Sequence, residues 1–296
     1  MRNILMASDL SSRSDRAFDR AAQLSQQFKS GLHVLHVLDS DLPAKTQDEL
    51  LDNAEKTLQA QAGRTRKTAT SKKVEGKKAG VKKTAKNGSG VVVAAGTPAQ
   101  TILEQAKKLK SDLIVTGAHK KDSLRDLFIK STAEKLLRFS EKPVLIVKNA
   151  TKEEYKTLVV GMDFSSHALK ALYMALTLFP KAKVHVVHAY SLPFSGLVKD
   201  RDLEDFTLDQ RKEGMEKILS ALGRKLKDKK AKAFARMDIV MHNAHSSAAL
   251  HDEVRKTRAD LVVVGTHGKS ELLTGIVGSV ARDMIHNAKT DVLVVK

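Results

Sequence analysis

The chain has 296 residues, 42% of them apolar, and a formal net charge of +18. That length holds two ordinary domains with a core each, and that apolar share excludes a wholly disordered chain. Because there is no cysteine, a disulfide framework, a thiolate metal site and a cysteine nucleophile are excluded as well.

In chain order, residues 1–6 run straight into a strand expected near 3–8, without the apolar core and small-residue cleavage site of a signal peptide. No apolar run reaches the roughly 18 residues that a membrane span requires. A soluble, cytoplasmic chain without a membrane span is therefore expected. Further strands are expected near 32–38, 90–95, 112–117 and 143–148. The charge is concentrated between the strands near 32–38 and 90–95. Arg64 to Lys86 holds ten Lys or Arg against one acid, Glu75, which is +9 of the +18. Only Val74 and Val81 offer sizeable apolar surface there, so the segment cannot bury enough to order itself. A disordered basic insert near 63–90 is expected. Weak contact with a polyanion through residues 64–86 is one use for it; with no aromatic residue to stack on bases, a solvated spacer is the other.

After a polar connector at residues 149–153, strands are expected near 157–162, 183–189, 234–241, 260–265 and 290–296. Between them Leu169, Leu172, Tyr173, Leu176 and Phe179 recur at helical spacing until Pro180 stops the run, and Met215, Ile218, Leu219, Leu222 and Leu226 do so again. Alternating strands and amphipathic helices predict an α/β fold with parallel sheets covered on both faces.

The two halves repeat each other. Ile4-Leu-Met-Ala-Ser-Asp9 returns as Leu158-Val-Val-Gly-Met-Asp163, and Leu32-His-Val-Leu-His-Val-Leu38 as Val184-His-Val-Val-His-Ala189. Ser111-Asp-Leu-Ile-Val-Thr-Gly117 returns as Ala259-Asp-Leu-Val-Val-Val-Gly265. Two tandem, doubly wound, five-stranded domains follow, 1–150 and 151–296.

The second half carries one pattern that the first lacks. Gly265-Thr266-His267-Gly268 follows a strand, and Gly278-Ser279 opens the amphipathic stretch Val280, Ala281, Met284, Ile285, giving G-x-x-G-x9-G-S. Glycines can take positive φ and let a ligand reach the backbone, while the start of a helix presents unpaired amides and the positive end of its dipole. Plain turns with Ser279 as an ordinary N-cap are the alternative. In doubly wound sheets ligands sit where the strand order reverses. If the first and fourth strands of this half are neighbours, Asp163 opens on the same crevice and can take a ribose hydroxyl or a metal riding on phosphates.

These residues resemble the universal stress protein family in tandem form, over both halves apart from the basic insert. The resemblance implies a Rossmann-like fold that binds ATP, ADP or AMP, with or without Mg2+, in a stress-response or signalling role. It implies a site formed by Asp163, Ala189, Val264, Gly265, His267, Gly268, Gly278, Ser279 and Val280 in the second domain, with the two domains pairing as an intramolecular pseudo-dimer that can itself pair further. The first half keeps Asp9, Val37, Gly117 and Ser131. Lys120 and Lys130 stand where the second half has Gly268 and Gly278, and Ser131-Thr-Ala-Glu134 reads as a capping box. A degenerate first site is expected. A slow ATP hydrolase or phosphotransferase with Asp163 holding Mg2+, and a nucleic-acid-associated protein acting through 64–86, are the alternatives in other classes.

Among the histidines, His33/His36 and His185/His188 lie three apart on strands and so point to opposite faces. His242, His245 and His251 can share a zinc only with a fourth ligand, and surface or capping roles suit them better. Asp252/Glu253 read as acids in a helix's first turn.

Overall fold

The computed structural model describes residues 1–38, 53, 56–57, 82–83, 89–118, 132–190, 201–268 and 277–296, with 82–83 and 201–208 described by backbone alone. It divides into two compact units, Met1–Glu154 and Tyr155–Lys296.

In the first unit β1 (Asn3–Ser8) leads into α1 (Ser12–Phe28), then β2 (Gly31–Leu38), a two-residue β3 (Lys82–Lys83), β4 (Gly90–Ala95), α2 (Pro98–Lys108), β5 (Leu113–Gly117), α3 (Thr132–Phe139) and β6 (Val144–Val147). The strand order is β3-β4-β2-β1-β5-β6, parallel except for β3, which runs antiparallel to β4. Lys82–Lys83 thus correct part of the expectation for the basic insert: a pair of residues at its end takes the edge hydrogen bonds of β4. The rest of residues 64–86 lies outside the described residues, as do Lys120, Lys130 and Ser131 of the expected capping box.

The second unit repeats the plan with β7 (Thr157–Gly161), α4 (Ser166–Leu178), β8 (Lys183–Tyr190), α5 (Arg201–Leu226), the short α6 (Lys230–Phe234), β9 (Met237–Asn243), α7 (Ser246–Thr257), β10 (Leu261–Gly265), α8 (Ser279–Asn287) and β11 (Asp291–Val295). Its order is β11-β10-β7-β8-β9, all parallel. The first and fourth strands, β7 and β10, are neighbours, with Leu158 opposite Leu261 and Val160 opposite Val263. The switch of strand order therefore falls between them. One strand boundary moves from its expected place. Lys230–Phe234 is helical, so β9 starts at Met237 rather than near 234. Lys and Ala, which make up most of that segment, are good helix formers, and the Lys230 ammonium lies 5.5 Å from the Phe234 ring centre.

The duplication extends to individual hydrogen bonds. Asp112 Oδ2 accepts from Asn3 N at 3.2 Å, and Asp260 Oδ2 accepts from Thr157 N at 2.9 Å, so an aspartate before each fourth strand pins the start of the first. His36 Nδ1 contacts Ser8 O at 2.8 Å, and His188 Nδ1 contacts Met162 O at 2.7 Å. A carbonyl only accepts, so Nδ1 carries the hydrogen in both. The second histidine of each pair thus ties its strand to the end of the first strand or the residue just after it. Ile4, Leu5 and Met6 in one unit and Leu158, Val159 and Val160 in the other are fully buried, which places each core around its first strand.

Candidate functional site

The switch point of the second unit is formed by three chain segments. After β7 the chain turns through Asp163 and Phe164 into α4, with Phe164 at φ 65°. A non-glycine residue in the left-handed region costs about 1 kcal/mol or more and persists only where its surroundings fix it. Here Asp163 Oδ1 accepts from Ser165 N at 3.0 Å and Ser165 Oγ accepts from Ala168 N at 3.1 Å, so the turn and the helix cap hold each other. The first unit has the same turn, with Leu10 at φ 60° and Asp9 Oδ1 accepting from Ser11 N at 3.0 Å. The first task of this aspartate is therefore structural in both halves, and it takes one oxygen.

The serine hydroxyls on that oxygen differ between the units. The hydroxyls of Ser11 and Ser14 both donate to Asp9 Oδ1, and Ser14 Oγ in turn accepts from Asp9 N at 2.9 Å. The second half has Ala168 where Ser14 stands. There the Oδ2 atom of Asp163 lies 2.9 Å from the point that a Cβ on Gly268 would occupy. Burial pulls the Asp9 carboxyl up, but the hydrogen bonds from Ser11 and Ser14, together with the charge of Arg13, outweigh it and hold the group below the usual carboxylate range. A carboxyl lowered by folding contributes stability that is present above its unfolded pKa and lost as pH falls through the folded one. Ser14→Ala is therefore expected to raise the Asp9 pKa, move the acid-unfolding midpoint upward and cost about 1 kcal/mol at neutral pH. An acid titration followed by circular dichroism checks this; an unmoved midpoint contradicts it.

The two glycine turns meet. Gly278 N donates to Thr266 O at 2.8 Å, and Thr266 N donates to Val295 O at 2.9 Å. The start of α8 thus lies against the end of β10. Gly278 is the N-cap of α8, without a side-chain cap, and Ser279 is its first residue. This corrects the alternative of Ser279 as N-cap. Neither Gly265 nor Gly268 has positive φ, so both are glycine for space rather than torsion. They serve different neighbours. A Cβ on Gly265 would lie 2.8 Å from His167 Cβ and 3.1 Å from the His167 carbonyl carbon. Gly265 thus lets the first turn of α4 sit against β10. Gly117 does the same in the first unit, facing Arg13 O at 3.1 Å.

Of the other expected site residues, Ala189 lies partly exposed near the end of β8. Val264 is 3% exposed, which leaves its main chain for any ligand contact. Ser279 is exposed and Val280 half-buried on the first turn of α8. His267 Nδ1 lies 3.0 Å from Thr266 Oγ1, while its Nε2 is buried and has no hydrogen-bond partner among the described residues.

His167 is a site residue that the motif did not mark. Its ring stands 5.4 Å from that of His267, centre to centre. The internal repeat held the signal: position 167 aligns with Arg13, and the backbone of each faces the glycine that ends the fourth strand. Beside the turn, Phe164 stacks near His188 with ring centres 4.2 Å apart. It also borders a cleft of about 410 Å³ lined by Gln210, Arg211, Glu213, Gly214, Lys217 and Ile218 of α5.

His251 has an aspartate partner of its own, while His185 and His242 share one glutamate. His251 Nε2 contacts Asp283 Oδ2 at 2.8 Å, and His185 Nδ1 and His242 Nε2 approach the two oxygens of Glu253 at 3.1 and 3.5 Å. His245 is the N-cap residue of α7. Among the described residues no group of three or more His, Asp or Glu is placed to hold a metal ion. Glu253 corrects an expectation, because it lies late in α7 rather than in the first turn and is 2% exposed. Its carboxylate joins α7 to β8 and β9. Among the described residues no helix is long and apolar enough to cross a membrane.

The model of the Universal stress protein family matches residues 1–148 and again 154–296. A universal stress protein of Methanocaldococcus jannaschii is 30% identical over 154 residues, covering 51% of this chain and 87% of that one. The crystal structure of a universal stress protein from Archaeoglobus fulgidus covers 99% of this chain and 98% of its own, with a TM-score of 0.65 at 18% identity, a likeness of fold. A second structure from Archaeoglobus fulgidus, solved in complex with dAMP, covers 49% of this chain and 97% of its own at 23% identity, with a TM-score of 0.34.

Proposed function

The chain belongs to the universal stress protein family, matched over both halves, and from that premise we propose that its second unit binds ATP or a related adenine nucleotide in a stress-response role. The observation that carries this reading is the bare main chain at Gly268, which faces the Asp163 carboxylate across a space that one added carbon would fill. The first-turn amides of α8 lack partners within the helix by its geometry, and their dipole end favours phosphate. Gly278 N bonded to Thr266 O brings that helix start beside the first glycine turn. The buried Nε2 of His267 adds a group that a phosphate oxygen would satisfy.

In this reading the phosphates rest on the main chain of Gly265–Gly268 and Gly278–Val280. Asp163 accepts a ribose hydroxyl, and the base lies toward Ala189. The first unit is a scaffold with Lys120 and Lys130 where the second has Gly268 and Gly278, and its Asp9 Oδ1 accepts from Ser11 and Ser14. Occupancy of the second unit biases a surface read by a partner, in the cytoplasm where adenine nucleotides are abundant.

Equilibrium binding of ATP to the full chain and two variants tests the reading. Asp163→Asn keeps an acceptor for Ser165 N but loses the charge, and is expected to weaken ATP by about tenfold or more, the worth of one charged hydrogen bond. Gly278→Lys puts a long side chain at the mouth of α8 and is expected to abolish binding while leaving the circular dichroism spectrum unchanged. Unaltered ATP affinity in Gly278→Lys would show that the cradle is misassigned.

A further inference from the structure

We propose that the second unit's phosphate site is proton-linked: the imidazole of His167, paired with that of His267, takes up a proton when a nucleotide polyphosphate binds, so that affinity rises as pH falls. The proposal rests on the nucleotide reading above and adds a regulation to that same site.

Geometry puts His167 where it can act. Its backbone is held against Gly265, with only 2.8 Å between its Cβ and a Cβ placed on that glycine. The Ser165 cap fixes the start of its helix. Its ring therefore stays beside the glycine turn, 5.4 Å from the ring of His267. His267 in turn is anchored through Nδ1 to Thr266, and its buried Nε2 has no hydrogen-bond partner among the described residues. Two imidazoles thus flank the main chain on which the phosphates are proposed to lie.

The charges around His167 set the direction of the linkage. Burial comes first, then the positive charge of Lys170 on α4, then His267, and these, with Lys296 beyond β11, hold the His167 imidazole below its ordinary value; Asp163 pulls the other way. Without a ligand the ring is thus kept neutral near physiological pH. A polyphosphate reverses the balance, because several negative charges outweigh the lysines and favour the imidazolium. A group whose pKa is higher in the complex than in the free protein strengthens binding below the complex's pKa, and that gain is lost as pH rises through it. Each unit of that rise is worth a tenfold change in affinity. The effect scales with ligand charge, so ATP should respond more than AMP.

Calorimetric titration of ATP into the full chain, between about pH 6 and 8 and in two buffers of different ionisation enthalpy, tests this. The wild type is expected to bind about tenfold more tightly at the lower end than at the upper, with a fraction of a proton up to about one taken up per nucleotide. His167→Gln keeps the Cβ that packs on Gly265 and is expected to flatten the pH profile and remove most of the proton uptake. The terminal phosphate of ATP titrates in the same range, but identically for both proteins, so it cancels in the comparison. ATP binding whose affinity and proton uptake are the same in wild type and His167→Gln would overturn the linkage and leave the nucleotide site standing. No ATP binding at any pH would overturn the nucleotide reading itself. Should His167→Gln fold poorly, His167→Asn, which also keeps the Cβ, takes its place in the same comparison.

Discussion

Gly268→Ala is expected to lower nucleotide affinity by one to two orders of magnitude while changing the stability of the fold by less than about 1 kcal/mol. The new Cβ meets a single atom, Asp163 Oδ2, at 2.9 Å. That atom is the far end of a side chain, and the carboxylate can rotate about its own bonds at little cost. The Ser165 cap on Ala168 N does not involve that side chain, so the turn survives. What the rotation removes is the alignment of the carboxylate with the main chain across the crevice. A charge-assisted hydrogen bond is worth about 1.5–3 kcal/mol, or roughly 10- to 150-fold in affinity. Thermal melting and ATP titration of the same sample separate the two effects. An affinity within twofold of wild type would mean that Gly268 is glycine for some reason other than ligand approach.

Gly265→Ala, three residues earlier, is expected to do the opposite and destabilise the second unit by about 1–3 kcal/mol, the usual cost of overpacking a rigid contact. Here the added Cβ meets His167 Cβ at 2.8 Å, His167 C at 3.1 Å and Ala168 N at 3.2 Å, and two of those three atoms are backbone. None can swing aside without moving α4. The Ser165 cap and the burial of Ala168, Ala171 and Leu172 oppose that movement. For a unit of this size each kcal/mol lowers the melting temperature by about 2–4 °C. Gly117→Ala is expected to act in the same direction through Arg13 O and C, at 3.1 and 3.2 Å. A melting temperature unchanged in Gly265→Ala would show that α4 does not need the glycine. The two glycines of one motif thus answer to different partners, one to a helix and one to the open crevice.

Strands β1, β2 and β5 were legible because each is a short apolar run that returns in the other half, as β7, β8 and β10. Asp112 and Asp260 pin the starts of β1 and β7 with matching hydrogen bonds. The doubly wound pattern allowed β7 and β10 to be neighbours, and the pairing of Leu158 with Leu261 makes them so. The start of β9 was not legible, because Phe234 is apolar enough to pass for a strand residue and its helix is set by the Lys and Ala around it. Glu253 was misread for a related reason. Adjacent acids in a sequence suggest a helix start, whereas this one is buried and its partners, His185 and His242, come from two different strands. Long-range pairs of that kind leave no local trace. His167 was missed because nothing in Ser-Ser-His-Ala marks a ligand; only the alignment of the halves, which sets it against Gly265, gave its place. The motif's glycines stood out in the sequence, but the division of labour between Gly265 and Gly268 needed the positions of His167 and Asp163.

The central expectation is a nucleotide in the second unit, beside glycines that the first half replaces with Lys120 and Lys130. A crystal structure of the full chain with ATP tests this most directly. The account predicts one nucleotide, its phosphates on Gly265–Gly268 and Gly278–Val280, with Asp163 on the ribose. A nucleotide seated beside Asp9, with the second unit's glycine turns untouched, would contradict it.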